Sequence, residues 1–183
     1  MDAVGIEQAR RAAELLGHLE PDAIVSSDLS RAVQTASALA AVTGLPIVTD
    51  VDLRETYAGA WQGLAREELT AQYGVELAAW SFGADSRPGG DGETRVEVAD
   101  RVVAAVERHL VDVLDGGTLV VVTHGGSARV GIGKLLGLPP EHWIALGVLS
   151  NCAWSVIERN GTGFRLVEYN AGSLPEAPLA DDR

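Results

Sequence analysis

The chain has 183 residues, of which 46% are hydrophobic and 22% charged, a composition typical of a single folded domain. Its net charge of -12 argues against a nucleic-acid partner, which normally requires a basic stripe, and no run of eighteen apolar residues indicates a membrane span. The only cysteine, Cys152, cannot form an internal disulfide, and we expect a cytoplasmic protein.

The first fifty residues predict a helix followed by a strand, a helix and a strand. Apolar residues at helical spacing predict the first helix from Met1 to Gly17. The apolar run 22–26 predicts a strand, and the polar residues 27–30 offer N-cap side chains to a helix that ends near Thr43. A second strand is predicted over 46–50, so the unit is βαβ and the sheet parallel.

The middle of the chain predicts two helices around a buried strand. A long helix with one apolar face is predicted from Glu93 to about Leu114. The β-branched run 118–123 is typical of a strand buried on both faces, and another helix follows over about 127–136. Residues 81–91, rich in Gly, Pro and Ser, predict a loop that crosses a site.

The last third of the chain predicts a hairpin. Strand-like runs over 151–158 and 164–169 flank Asn160-Gly161, a dipeptide that favours a tight turn. The proline-rich, acidic residues 174–183 predict a loose tail.

Arg31 is the first candidate for chemistry. The segment Ser-Ser-Asp-Leu-Ser-Arg-Ala puts it in the first turn of a helix that directly follows a strand. The helix dipole opposes a cation there, so the position is favourable when an anion lies between Arg31 and the helix amides. Taken alone, the segment would favour a solvated surface arginine over a ligand-binding one.

His124 is the second candidate. It lies at the carboxyl end of the predicted strand 118–123, where open α/β sheets bind ligands, and two glycines follow it. His18, His109 and His142 have no motif around them, and we expect structural roles for all three.

Glu55 is the third candidate. The segment Leu-Arg-Glu-Thr-Tyr-Ala-Gly-Ala-Trp places it in a loop after a strand, beside two aromatic residues. Hydrolysis of a phosphomonoester expels a poor alkoxide, and a protonated carboxyl group can supply the proton that this step needs. A plain surface pair of Arg54 and Glu55 is the alternative.

Together these segments resemble the histidine phosphatase superfamily, also called the phosphoglycerate mutase-like family. Gly5-Ile-Glu-Gln-Ala9, Gly92-Glu-Thr94 and Ser150–Trp154 extend the match, with small bacterial phosphatases as the subtype. The resemblance implies an α/β fold: a three-layer α/β/α sandwich around a mostly parallel sheet. It makes Arg31 and Gly125 phosphate ligands, His124 the histidine that binds and polarises the phosphoryl group, and Glu55 the proton donor.

The resemblance also implies a small phosphorylated metabolite as partner and leaves a homodimer open. The charge and the apolar pattern predict no nucleic acid and no membrane as partners, and four scattered histidines with one cysteine predict no metal or other cofactor. In this family a first strand ending in Arg-His-Gly supplies the nucleophilic histidine, and the sequence contains no Arg-His-Gly. We therefore expect a phosphomonoester hydrolase domain over 1–173 whose first strand is absent. We expect it to act through a phosphohistidine in a longer, complete protein and to be inactive or strongly impaired as the chain given. The alternatives are a catalytically silent phosphate-binding or interaction module and a phosphoglycerate mutase.

Overall fold

The computed structural model describes residues 1–161 and 163–172, which contain five α-helices and five strands. The predicted tail over 174–183 lies outside the described residues. In chain order the elements are α1 (Ala3–Gly17), β1 (Ala23–Ser27), α2 (Ser30–Thr43), β2 (Ile47–Asp50), α3 (Arg66–Ser81), α4 (Arg95–Leu110), β3 (Leu119–Val122), α5 (Gly125–Leu135), β4 (Trp154–Asn160) and β5 (Gly163–Ala171). Three short 3-10 helices cover Val51–Leu53, Gly59–Trp61 and Pro140–Ala145.

The strands form two separate sheets. β1 pairs in parallel with β2 on one side and with β3 on the other, which gives the order β2-β1-β3. β4 and β5 form an antiparallel pair. The predicted βαβ unit and the predicted hairpin are both confirmed.

The parallel sheet is covered by helices on both faces. Ile24 of β1 and Val120 of β3 pack against the buried side chains of α1 and α2, including Ala13 and Leu39. The alternate residues Val25 and Val121 face the opposite way and pack against α4 and α5. Because side chains alternate along a strand, each face has its own apolar layer. The predicted three-layer α/β/α sandwich is confirmed.

The burial of β3 differs from the prediction. All four residues of the strand, Leu119–Val122, are only half-buried, although their sequence is typical of a strand covered on both faces. The reason is position, because β3 is an edge strand of the three-stranded sheet and, within the described residues, pairs only with β1.

The prediction of an N-cap side chain for α2 is wrong. The N-cap residue is Leu29, and no side chain caps the helix. The polar residues before it are used elsewhere: the Asp28 carboxylate pairs with Arg54, and the Ser27 hydroxyl lies 2.9 Å from His124 Nε2.

The long predicted helix is present as α4 but is shorter. It starts at a capping box in which the Thr94 hydroxyl accepts a hydrogen bond from Glu97 N and the Glu97 carboxylate accepts one from Thr94 N. It ends at Leu110, four residues before the predicted end, and Val111 and Leu114 are exposed beyond it.

Helix α3 was not predicted. None of its residues is buried, so the sequence has no apolar stripe to mark it. Its end is held by Arg95, which lies 4.4 Å from the centroid of the Trp80 ring and donates to the carbonyl oxygens of Trp80 and Ala84. Trp80 in turn packs edge-on against the buried Trp61. Across the described ranges, no helix combines the length and apolarity needed to cross a bilayer.

Candidate functional site

The three residues singled out from the sequence meet at one edge of the parallel sheet. Arg31 is in the first turn of α2, which follows β1; Glu55 follows the 3-10 helix after β2; and His124 lies two residues beyond the end of β3. Because the strands are parallel, their carboxyl ends share one edge, and that edge is where such sheets bind ligands. The edge therefore brings Arg31, Glu55 and His124 together.

His124 is held between Arg31 and Ser27. Arg31 Nε donates to His124 Nδ1 at 3.1 Å, and His124 Nε2 lies 2.9 Å from Ser27 Oγ. A guanidinium can only donate, so Nδ1 must be unprotonated in this arrangement. The imidazole is therefore neutral, with its proton on Nε2 and directed at Ser27 Oγ.

The surroundings of His124 favour this neutral form. The residue is 8% exposed. Burial lowers its pKa, and the nearby positive charge of Arg31 lowers it further, while the Glu55 carboxylate opposes the shift. A neutral ring beside an exposed arginine can take up a proton when an anion binds next to it, because the anion favours the imidazolium form.

Glu55 binds the amino-terminal end of α5. Its Oε1 accepts hydrogen bonds from Ser127 N at 3.0 Å and from Thr56 N at 2.9 Å, and Ser127 Oγ lies 3.1 Å away. Oε2 accepts one from Gly126 N at 3.1 Å. The first amides of a helix have no partner within the helix and carry partial positive charge, so a carboxylate suits this place. The side chain is thus fixed between its own loop and α5.

Arg54 does not pair with Glu55. Its Nε donates to Asp28 Oδ1 at 2.7 Å, and its Nη2 contacts the other oxygen of the same carboxylate. The alternative of a surface pair between Arg54 and Glu55 is therefore wrong, because the two neighbouring side chains point at different partners.

The two glycines after His124 allow close approach from both sides. A Cβ on Gly126 would lie 2.7 Å from Glu55 Oε1, and one on Gly125 would lie 2.9 Å from the backbone oxygen of Leu149. Both positions therefore require small residues, and the neighbours that require them are the Glu55 carboxylate and the segment before β4.

The remaining histidines lie elsewhere. His109 Nε2 contacts Asp50 Oδ2 at 2.9 Å, and His18 and His142 are exposed. None of them contacts Arg31, Glu55 or His124 within the described residues. His124 is thus the one histidine of the four that contacts Arg31, although His109 also reaches this edge of the sheet through Asp50, the last residue of β2.

Sequence reasoning missed the residues that hold Glu55 in place. Ser127 is fully buried, and its hydroxyl lies 2.8 Å from the carbonyl oxygen of Arg54. Arg101 of α4 donates to carbonyl oxygens of the loop that carries Glu55, and Glu93 binds Arg101. Glu93 stands in the Gly92-Glu-Thr94 motif, which was the available signal. Arg101 had no signal, since its acceptors are backbone atoms distant in sequence.

Comparison with known proteins gives one consistent family. Residues 1–172 match the model of the histidine phosphatase superfamily (branch 1). The glucosyl-3-phosphoglycerate phosphatase of Mycolicibacterium vanbaalenii is 41% identical over 157 residues, which cover 82% of this chain and 69% of that protein. The enzyme of the same name from Mycobacterium tuberculosis is 39% identical over 179 residues, covering 92% and 80%.

A solved structure agrees with these relatives. The complex of a mycobacterial glucosyl-3-phosphoglycerate phosphatase with inorganic phosphate superposes with a TM-score of 0.88 at 38% identity, covering 93% of this chain and 87% of that one. The fold and the family predicted from the motifs around Arg31, Glu55 and His124 are both confirmed.

Proposed function

This chain belongs to the histidine phosphatase superfamily, and we propose that its site binds the phosphoryl group of a small phosphomonoester at Arg31, His124 and Gly125 while Glu55 protonates the leaving oxygen. The observation that carries the proposal is the meeting of an arginine, a neutral histidine and a carboxylate at the carboxyl edge of the parallel sheet. That edge also presents the amino-terminal end of α5, whose first amide belongs to Gly125.

Phosphate binding follows from the Arg31 and His124 contact. Arg31 is exposed and reaches over the buried His124, and the hydrogen bond between them at 3.1 Å joins a donor to a basic nitrogen. A phosphoryl oxygen that enters between them accepts from Arg31 and favours proton uptake at His124. Both groups then donate to the phosphoryl group, where negative charge accumulates in the transition state.

Proton donation is assigned to Oε2 of Glu55. Oε1 is surrounded by Thr56 N, Ser127 N and Ser127 Oγ, whereas Oε2 has the single partner Gly126 N. A carboxyl group has about four lone-pair sites, so Oε2 is the oxygen with room for a proton. Protonation there leaves the contacts of Oε1 in place, which also include the Thr56 hydroxyl at 3.4 Å.

We propose that the nucleophile is a histidine that these 183 residues do not contain. In a phosphohistidine mechanism a P–N bond forms as the P–O bond of the leaving group breaks, and water then cleaves the P–N bond. His124 Nε2 faces Ser27, and a phosphoryl group between Arg31 and His124 favours a protonated imidazole, which has no lone pair for attack. Within the described residues β3 pairs only with β1, so a strand added in parallel on its other side would end beside His124 and could carry the nucleophile.

The relatives guide the choice of substrate. Two of them are named for glucosyl-3-phosphoglycerate, so we propose that the leaving group here is a glycerate or a glycosylated glycerate. The cytoplasmic location predicted from the sequence agrees with a metabolite of this kind.

The test separates binding from turnover. Inorganic phosphate is titrated into the 183-residue protein by calorimetry, and hydrolysis of glucosyl-3-phosphoglycerate, 3-phosphoglycerate and p-nitrophenyl phosphate is measured in parallel. We expect phosphate binding with little hydrolysis, and strong hydrolysis by a form extended at its amino terminus with a strand ending in Arg-His-Gly. Absence of phosphate binding in both forms would refute the proposal.

A catalytically silent phosphate-binding module is the second candidate. It is favoured by the contacts of His18, His109 and His142, none of which touches Arg31, Glu55 or His124 within the described residues. It predicts that the extended form binds phosphate but hydrolyses none of the three esters. A phosphoglycerate mutase instead predicts transfer of phosphate between the hydroxyl groups of a glycerate without release.

A further inference from the structure

The backbone of the loop that carries Glu55 is held by Arg101, a half-buried arginine of α4. We infer that Arg101, locked in place by Glu93, is a positioning residue that sets the direction of the Glu55 side chain. The inference rests on the role proposed for Glu55, and it adds two residues outside the phosphate-binding groups.

All five N–H donors of Arg101 are used. Two of them form a fork on the Glu93 carboxylate, from Nε to Oε1 at 2.7 Å and from Nη2 to Oε2 at 2.8 Å. The other three go to carbonyl oxygens of the Glu55 loop: those of Asp52 at 2.7 Å, Arg54 at 2.8 Å and Glu55 at 3.2 Å. A guanidinium has five donors, so none remains for solvent.

Glu93 binds the backbone of the same loop on the carboxyl-terminal side of Glu55. Its Oε2 accepts from Tyr57 N at 2.8 Å, and its own backbone N donates to the Tyr57 carbonyl at 2.8 Å. Burial favours the neutral carboxyl, but the hydrogen bonds from Arg101 and Tyr57 N outweigh it and lower the pKa of Glu93. Arg101 and Glu93 therefore stay charged at neutral pH, and together they bind the backbone of the loop on both sides of Glu55.

These contacts differ from those of a residue that only stabilises the core. Arg101 and Glu93 bind the backbone immediately before and after Glu55, while α5 binds the Glu55 carboxylate itself. We call the hydrogen bonds of Arg101 and Glu93 to this backbone the clamp. Without the clamp the carboxylate would still bind α5, but the loop that carries it could rotate. The expected defect is misdirected proton donation, with phosphate binding retained.

The geometry requires arginine. Lysine places three donors on one nitrogen and cannot span a carboxylate and three carbonyl oxygens at once, so Arg101→Lys keeps the charge and loses the clamp. Arg108→Lys is the matched control, because Arg108 is on the same helix and binds the Asp50 and Asp52 carboxylates through one nitrogen, as lysine can. Glu93→Gln is a milder second variant that retains the shape of the pair.

The first readout is the amide proton shifts of Gly126 and Ser127 in NMR spectra of the 183-residue protein. Both amides donate to Glu55, and such bonds to a carboxylate move the resonances downfield. We expect Arg101→Lys, and to a smaller extent Glu93→Gln, to move both resonances toward their positions in Glu55→Gln. Arg108→Lys should leave them unchanged. This readout does not depend on catalysis.

The second readout is leaving-group dependence in the extended, active form. An alkyl phosphate needs a proton donor and p-nitrophenyl phosphate does not, so Arg101→Lys should reduce kcat for the alkyl ester by about 10²-fold and change its KM little. The loss for p-nitrophenyl phosphate should be below about 3-fold, as expected if only acid catalysis is impaired.

The outcomes are distinct. Unchanged amide shifts in Arg101→Lys, or equal losses for both esters, would overturn the positioning role. If Arg101→Lys does not fold, Glu93→Gln decides by the same two measurements. Failure of the proposed function would appear differently. The extended protein without substitutions would then neither bind phosphate nor hydrolyse either ester, while the amide shifts of the 183-residue protein would still report the effect of Arg101→Lys.

Discussion

Arg31 and His124 touch through one hydrogen bond, whereas Glu55 is fixed by donors from its own loop and from α5 and by a clamp on its backbone. The proposed phosphate side, Arg31 and His124, is thus held by fewer contacts than the proposed acid side, Glu55. An anion can enter the phosphate side without breaking secondary structure. The proposed proton donor must keep one direction, since a misplacement of about 1 Å can cost about 10²-fold in rate.

The difference follows from how each side is built. The phosphate side uses the ends of β1 and β3 and the first turn of α2, so its residues follow directly from the strand order. The acid side depends on contacts between the loop after β2 and two helices far along the chain. Removing a residue should therefore affect ligand affinity on the first side and stability on the second.

The largest expected effect is the loss of phosphate affinity in Arg31→Ala. The side chain is exposed, so the fold should persist, while a charge-assisted hydrogen bond to the anion disappears. We expect the dissociation constant for inorganic phosphate to rise about 10²-fold, equivalent to about 2.7 kcal/mol. Calorimetric titration measures it.

Arg66→Ala is the control for that variant. Arg66 is exposed at the first position of α3, much as Arg31 is in the first turn of α2, but it lies away from the sheet edge. Its loss should leave phosphate binding unchanged. Equal weakening by both variants would mean that net charge, and not the contact of Arg31, governs affinity.

The next effect is on stability, in Glu55→Ala. The amides of Gly126 and Ser127 lose their acceptor at the start of α5, and Ser127 is fully buried. An unpaired buried donor or a lost helix cap each costs about 1–2 kcal/mol, so we expect the free energy of unfolding to fall by about 2 kcal/mol. Urea denaturation followed by circular dichroism measures the change.

Glu107→Ala removes the same side chain from the exposed face of α4 and serves as the comparison. It should change the unfolding free energy by less than about 0.5 kcal/mol. If Glu55→Ala is equally mild, Glu55 does not cap α5 in solution and the acid side is less rigid than its contacts indicate.

The sequence was sufficient for the parallel sheet and for the phosphate side. Period and turn signals located β1, α2, β2 and β3, and the rule that ligands bind at the carboxyl ends of parallel strands then brought Arg31 and His124 together. Glu55 was also found, because its loop follows a strand and carries a recognisable motif.

Helix α3, the burial of β3 and the role of Arg101 could not be predicted, because they depend on contacts between residues that are distant in the sequence. Helix α3 has no buried face, so periodicity could not reveal it. β3 looks like a central strand but is an edge strand in the sheet, and burial is a property of neighbours rather than of composition. Arg101 acts on carbonyl oxygens about fifty residues away, and every residue type offers the same carbonyl.

The smallest expected effect is a pH dependence of anion binding, and it tests whether the phosphate side is as adaptable as its single hydrogen bond indicates. Burial and then the charge of Arg31 lower the pKa of His124, so the ring is neutral in the free site at neutral pH. An anion beside it favours the imidazolium, so the pKa rises on binding and a proton is taken up. Affinity must then increase as pH falls toward the lowered pKa of the free site, by at most about tenfold per pH unit.

Sulfate is the suitable probe, because it stays doubly charged where phosphate itself titrates. Its dissociation constant should fall about 3- to 10-fold between roughly pH 7.5 and 5.5, and His124→Asn should remove most of this dependence. His18→Gln, which alters an exposed histidine at the end of α1, should retain it. A pH dependence that survives in His124→Asn would assign the proton to another group and leave His124 a neutral hydrogen-bond donor throughout. The phosphate side would then be as fixed as the acid side, since the imidazole would keep one tautomer whether or not an anion is bound.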